Sequence, residues 1–318
     1  MQEKQKISIE EVWKNWIDCL IGDDRNSIFQ QINLMIWDTS IFRVVVACRK
    51  KKVEKNSEEP EINGALHSFI DRNYFQSQCL YIRRIIDSSF VIRGKKGVFS
   101  LGALLKDLKK YRLELNREKF LFLLGKPYDY SEIQKKENEY LKTHHNCIVP
   151  SEYDWWPIEE AHRFFDRLCG INITERRPDD VIPEQVFSRL DDKLSTCKKI
   201  IEYVEKNIAH SATQDSREIQ NAEDLRITFH QIWDAQKIVF EVANFLSTAL
   251  FSTGNMALQT ENHNFYQYWD KPMFECDEIG LVRSTVKAYR DETSKWSETA
   301  IDNIWNWIEE TNVEEIEG

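Results

Sequence analysis

The sequence predicts an all-α protein, and three observations carry that reading. Apolar residues recur at helical spacing in several separate stretches, a seam of alternating three- and four-residue steps runs from Phe187 to Ile208, and there are only 10 Gly and 7 Pro in 318 residues. Sandwiches and barrels need many short strands joined by Gly- and Pro-marked turns, so this scarcity disfavours them. The chain is nevertheless rich in core-forming residues: 42% are apolar, with 10 Trp, 11 Tyr and 17 Phe.

Each element follows from local pattern. Ser8 and Glu11 stand at S-x-x-E spacing, and Ile9, Val12, Trp13, Trp16, Ile17 and Leu20 form one stripe ended by Gly22. A second helix is predicted over 27–46, apolar on most sides and hence central, followed by a charged surface loop over 49–62. A third helix covers 64–87, with Leu66, Phe69, Ile70, Leu80, Ile85 and Ile86, and Ser100 caps a fourth that carries Leu101, Leu104, Leu105 and Leu108. Residues 125–182 hold Pro127, Pro150, Pro157 and Pro178 and read as an irregular insertion or hinge, with short helices over 131–142 and 157–168.

From Pro183 to His210 one long helix is expected. Phe187, Leu190, Leu194, Cys197, Ile201, Val204 and Ile208 make its heptad seam, suited to packing antiparallel on a partner helix over 224–251 that Gly254 stops. A last helix spans 277–310 before a Glu-rich tail. The chain thus divides into N-terminal helices (1–124), the irregular segment (125–182), and a helical hairpin with a C-terminal extension (183–318).

Charge narrows the function. A net charge of −10 and a pI near 5.4 do not provide the broad positive field of a duplex-binding protein, although a small basic patch can still exist locally. The seven Cys show no CxxC spacing, and no signal-peptide pattern opens the chain, so reduced thiols and a cytoplasmic location are expected. No apolar run approaches the ~18 residues of a membrane span. Walker A, G-x-G-x-x-G, H-E-x-x-H, EF-hand and G-x-S-x-G motifs are absent, and no cofactor is expected. The cluster His144-His145-Asn146-Cys147 has metal-ligand residue types but no second ligand pair at zinc spacing, and reads as a polar loop. Asp154, Glu159, Glu160 and His162 include acid–base types but read as a solvated face.

The end of the seam helix is different. At about 100° per residue, Tyr203, Lys206 and His210 share a face with Asn207 at its margin, away from the seam. A histidine there can simply cap the helix and meet its dipole, and it can equally serve as an acid–base group.

Three segments carry a family resemblance: Tyr81–Asp87 ending one helix, Ser100–Leu105 beginning the next, and Lys206-Asn207-Ile208-Ala209-His210-Ser211 ending the long one. In these the chain resembles the HEPN superfamily, and within it the AbiU2-like group, helical proteins of toxin–antitoxin, abortive-infection and other antiphage systems. The likeness spans residues 64–112 and 183–251. It implies an antiparallel helical bundle with helical extensions, a homodimer, and metal-independent cleavage of RNA at the dimer cleft. By the resemblance, His210 would be the imidazole, Lys206 the cation and Asn207 the orienting polar group, with Arg83, Arg84 and Tyr203 at the substrate. An operon-encoded antitoxin or defence partner protein is the expected macromolecular partner. The sequence departs from the family's motif, since Glu205, Val204 and Tyr203 stand where an Arg is expected. A helical module that binds a protein or nucleotide partner in a defence complex without cleaving is therefore the alternative. Its contact surfaces would be the aromatic loop Phe265–Trp269 and the tail residues Glu309, Glu310, Glu314, Glu315 and Glu317.

Overall fold

In the computed structural model, which describes residues 7–55, 64–144, 149–209, 226–267 and 279–314, the chain is all-α. Among the described residues the only β-pairings are two isolated bridges, Val91 with Gly97 and Asn116 with Val181. The helices are α1 (Ile9–Ile21), α2 (Ile28–Lys55), α3 (Gly64–Ile86), α4 (Leu101–Tyr111), α5 (Arg117–Leu123), α6 (Ser131–Thr143), α7 (Trp156–Cys169), α8 (Glu184–Ser195), α9 (Lys198–Tyr203), α10 (Phe229–Phe245) and α11 (Ile279–Glu314). π-helical turns extend α9 over Val204–Ala209 and α10 over Leu246–Leu250. None of these helices is long and apolar enough to cross a membrane.

The expected caps form. Ser8 accepts the Glu11 N–H at the start of α1, and Ser100 accepts the Ala103 N–H at the start of α4. The stripe of α1 buries Val12, Trp13, Trp16 and Leu20, where the Trp13 ring meets Phe120 and Phe251 edge-on.

Two expectations about the extent of the helices need correction. First, α2 does not give way to a loop at 49 but continues to Lys55. Arg and Lys are good helix formers, Lys50 lies 3.8 Å from Glu54 one turn on, and Arg49 makes a two-pronged bond to Asp71 of α3 at 2.8 Å. Missing apolar residues there mean exposure, not a helix end. Residues 56–62 lie outside the described residues. α2 is central as expected, packing on α1, α3, α10 and α11, although Leu34, Val46 and Val53 are exposed; α10 is buried almost all round and touches α2, α3, α4, α8 and α11.

Second, the seam helix is not continuous. The Ser195 and Thr196 hydroxyls donate back to the Asp192 and Lys193 carbonyls, and Cys197 N–H closes a tight bond to Leu194, so the chain turns between α8 and α9. The slip changes the phase: Ile200 is buried in place of Ile201, and Val204 returns to the core. α8 packs on α4 as well as α10, and α9 lies along α3.

The segment 125–182 contains the two expected short helices and a buried ionic network. Arg117 is fully buried and reaches Asp166 at 2.8 Å and Asp180 at 2.9 Å. Arg176 grips both Glu159 (2.7 Å) and Asp166 (2.6 Å). Glu159 and His162 are therefore not on a solvated face: each is 2% exposed. Burial alone would raise the Glu159 pKa, but bonds from Arg176, Tyr130 and Arg163 outweigh it and hold the group at about 2. The His162 Nε2 lies 3.1 Å from the Tyr128 carbonyl and must donate, which leaves Nδ1 to accept from Arg117. Burial, with Arg176 and Arg117 nearby, lowers the pKa of this neutral ring.

Candidate nucleic-acid interface

The last turn of α3 and the first of α4 meet as one unit. Ser100 Oγ donates to the Asp87 carbonyl at 2.5 Å, and a Cβ on Gly102 would lie 2.4 Å from the Ile86 carbonyl oxygen. The π turn after α9 packs on α3 beside them. Its Glu205 lies 3.6 Å from Arg83 Nη2, while Arg83 Nη1 reaches Asp87 at 3.3 Å. All three segments of the family resemblance thus abut α3, as far as they are described.

The predicted site residues fall out unevenly. Arg83 touches the motif helix through Glu205. Tyr203 is half-buried with its ring edge-on to Phe75 at 5.4 Å, and burial raises its pKa. Asn207 is exposed and donates to the Tyr203 carbonyl at 3.1 Å; Lys206 is partly buried. A π turn winds fewer degrees per residue than an α-helix, so the face expected from 100° steps does not hold from Val204 onward. His210 lies outside the described residues.

Arg84 is exposed and, unlike Arg83, makes no ion pair among the described residues. It opens onto a cavity of about 440 Å³ lined by Gln31, Arg83, Arg84, Phe90, Val98 and Phe99. The 88–99 loop that forms one wall is firmly built. Val98 N–H bonds to the Val91 carbonyl, and Gly94 makes the reversal at φ +82. Arg93 bonds to Asp107 at 2.7 Å, and Asp107 also accepts from the Trp16 indole at 2.8 Å. The tip carries Lys95 and Lys96, exposed and without ion pairs among the described residues, as is Lys106 one helix away. Arg84 and Phe90 share this cavity with Arg83 and Asp87, and exposed Val91, Lys95 and Lys96 stand on the loop that forms its wall.

On α2, Asp38 is shifted beside Tyr81 of α3. Burial raises its carboxyl from 3.8 to about 6, with Tyr81 pulling the other way. A raised folded pKa means that stability is fully present below the unfolded value and is lost as pH rises from about 4 through 6. Asp38→Asn should therefore stabilise the protein by about 1–2 kcal/mol at pH 7 and leave it nearly unchanged at pH 4, in urea melts at the two pH values.

The remaining candidates have structural partners. A cavity of about 660 Å³ lies between α2, α3, α10 and α11. There the Arg43 guanidinium sits over the Trp233 and Tyr289 rings and is neutralised by Glu292. His144 stacks on Tyr140 at 4.3 Å; His145, Asn146 and Cys147 lie outside the described residues. Phe265 of the aromatic loop is buried against Trp37, with Tyr268 and Trp269 outside the description, and Glu309 pairs with Arg167. Among the described residues no three His, Cys, Asp or Glu converge as a metal site.

Arg83 and Arg84 stand out in the sequence, but the cavity does not. Its available signal was the run Phe90…Lys95-Lys96…Phe99, cations set between aromatics just after the arginine pair. Gln31 carries no such signal, because it joins the wall through a contact across 68 residues of chain, its amide donating to the Phe99 carbonyl. No protein-family model matches the chain, and no curated protein or solved structure matches it.

Proposed function

We propose that this chain is a HEPN-superfamily protein that acts on single-stranded RNA as a metal-independent endoribonuclease, at a homodimer cleft, within an antiphage defence or toxin–antitoxin system. The observation that carries the reading is the cavity that Arg83, Arg84 and Phe90 share, with Arg83 also touching the motif turn through Glu205 and with Lys95 and Lys96 on the loop that forms its wall, on a chain of net charge −10. Cations that track phosphates and rings that stack bases are what a single strand requires.

In this reading His210 takes the proton of a ribose 2′-OH as that oxygen bonds to the adjacent phosphorus, the bond from phosphorus to the 5′-oxygen breaks, and that oxygen takes up a proton from solvent to leave as a 5′-OH beside a 2′,3′-cyclic phosphate. Lys206 and Arg83 meet the charge that builds on the phosphate. Arg83 is suited to exchange partners, because its contact to Glu205 is one long 3.6 Å approach, which a phosphate can displace. A second reading, an RNA- or protein-binding module without cleavage, is favoured by the same pair: Glu205 and Asp87 together neutralise Arg83 in the free protein.

The test is incubation of purified protein with mixed tRNA and mRNA in EDTA, beside His210→Ala and the triple variant Arg84→Ala/Lys95→Ala/Lys96→Ala. Cleavage that survives EDTA, stops with His210→Ala and weakens in the triple variant supports the enzyme. RNA binding without cleavage by folded protein supports the module, and absence of both sinks each.

A further inference from the structure

We infer that the cavity between α2, α3, α10 and α11 is a binding site for a small amphipathic anion, an apolar body of medium-chain length with one carboxylate head. It stands apart from the RNA reading and shares no residue with it. At about 660 Å³ the cavity lies within the range of about 300–1,000 Å³ that small-molecule sites occupy. It follows α2 from Phe42 to Lys50, about 12 Å of helix. Phe42, Val46 and Lys50 stand one turn apart on one face of α2, and exposure is graded along them. Phe42 is 4% exposed and Val46 39%, while the Lys50 side chain is 78% exposed. Ala47, Ala288 of α11, and Phe229 and Trp233 of α10 complete the apolar wall.

The charges along the wall decide the sign of the head. Five charged side chains line the cavity, and four of them cancel in pairs. Arg43, set between the Trp233 and Tyr289 rings, bonds through both terminal nitrogens to the two oxygens of Glu292. Arg49 holds both oxygens of Asp71 in the same way at 2.8 Å. Two-pronged pairs of this kind engage guanidinium and carboxylate alike, so neither acid is left to meet a cationic ligand. Lys50 is different. Its contact to Glu54 is 3.8 Å long between side chains that are 78% and 64% exposed, a pair that contributes little and exchanges easily. The hydroxyls of Ser284 and Thr285 suit a head of either sign. One mobile ammonium at the open end of an apolar channel thus fits a monoanion whose chain lies inward on Val46, Ala47 and Ala288.

Calorimetric titration of the full chain with octanoate, kept below its micelle concentration, tests this beside 1-octanol and octylammonium. Octanoate should saturate one site per chain and bind about fivefold more tightly than 1-octanol, with octylammonium weaker still. Lys50→Glu, at a well-exposed position, should weaken octanoate about tenfold and make octylammonium the better ligand. Ala288→Asp, also exposed, sets a charge against the apolar body and should weaken octanoate and 1-octanol alike, by about tenfold. Thermal melts of the unliganded variants verify the fold, and if one variant melts early the other decides. Equal affinity for the three heads, octanoate binding untouched by either substitution, or no saturable binding at millimolar octanoate overturns the inference. Capture of the protein by phosphatidylglycerol vesicles without uptake of free octanoate also overturns it, because the partner would then be a membrane surface and not a molecule within the cavity.

Discussion

Arg117→Ala should lower the unfolding free energy by about 3–5 kcal/mol, seen as a large drop in urea midpoint at pH 7. The guanidinium is wholly buried and bonded to Asp166 and Asp180. Removing it leaves the half-buried Asp180 without its cation, holding only the Arg177 N–H, and deprives His162 Nδ1 of its donor. Asp166 still has Arg176, so the loss should fall chiefly on the joint where Arg117 and Glu118 N–H groups bond the Asp180 and Pro178 carbonyls. Glu159 stays ionised in ordinary buffers, because its bonds hold it at about 2. Lys119→Ala is the control. Its pair with Glu10 is part-exposed, and its loss should cost less than about 1 kcal/mol. A drop of that small size for Arg117→Ala would mean the network contributes nothing that solvent cannot replace.

How much of this was legible in the sequence depends on the range of the interaction. Ser8, Ser100 and the stripes of α1 and α4 were readable because a cap and its first turn, or a stripe and its period, lie within a few residues of one another. The Ser195–Cys197 break was hidden because its seam residues keep perfect 3–4 spacing, and only hydroxyls bonding back to carbonyls reveal the slip. Glu159 and His162 looked solvated because their partners, Arg176 and Arg117, stand 17 and 45 residues away. In the candidate site, the residue types at Arg83 and Arg84 were visible. Which arginine is bound up with carboxylates and which is available for a ligand was not, since that depends on Glu205 arriving from another helix.

Gly102→Ala should be the most damaging single methyl in the interface. A Cβ there would lie 2.4 Å from the Ile86 carbonyl oxygen, 2.8 Å from Ser88 N and 2.9 Å from Asp87 C. All three are backbone atoms, so no side chain can turn aside, and α4 must move off the end of α3. Overpacking of this kind costs about 1–3 kcal/mol and occasionally more. The shift also pulls at the Ser100–Asp87 bond that holds the loop carrying Phe90, Lys95 and Lys96. Two measurements then separate fold from function: the urea midpoint reports the clash, and RNA affinity of the still-folded fraction reports the geometry of Arg83 and Arg84. Stability should fall, and affinity should fall further than Ala103→Gly causes at matched stability, because that neighbouring change weakens α4 without displacing it. Equal affinity for the two variants would mean that the α3–α4 junction supports the bundle without shaping the proposed RNA surface.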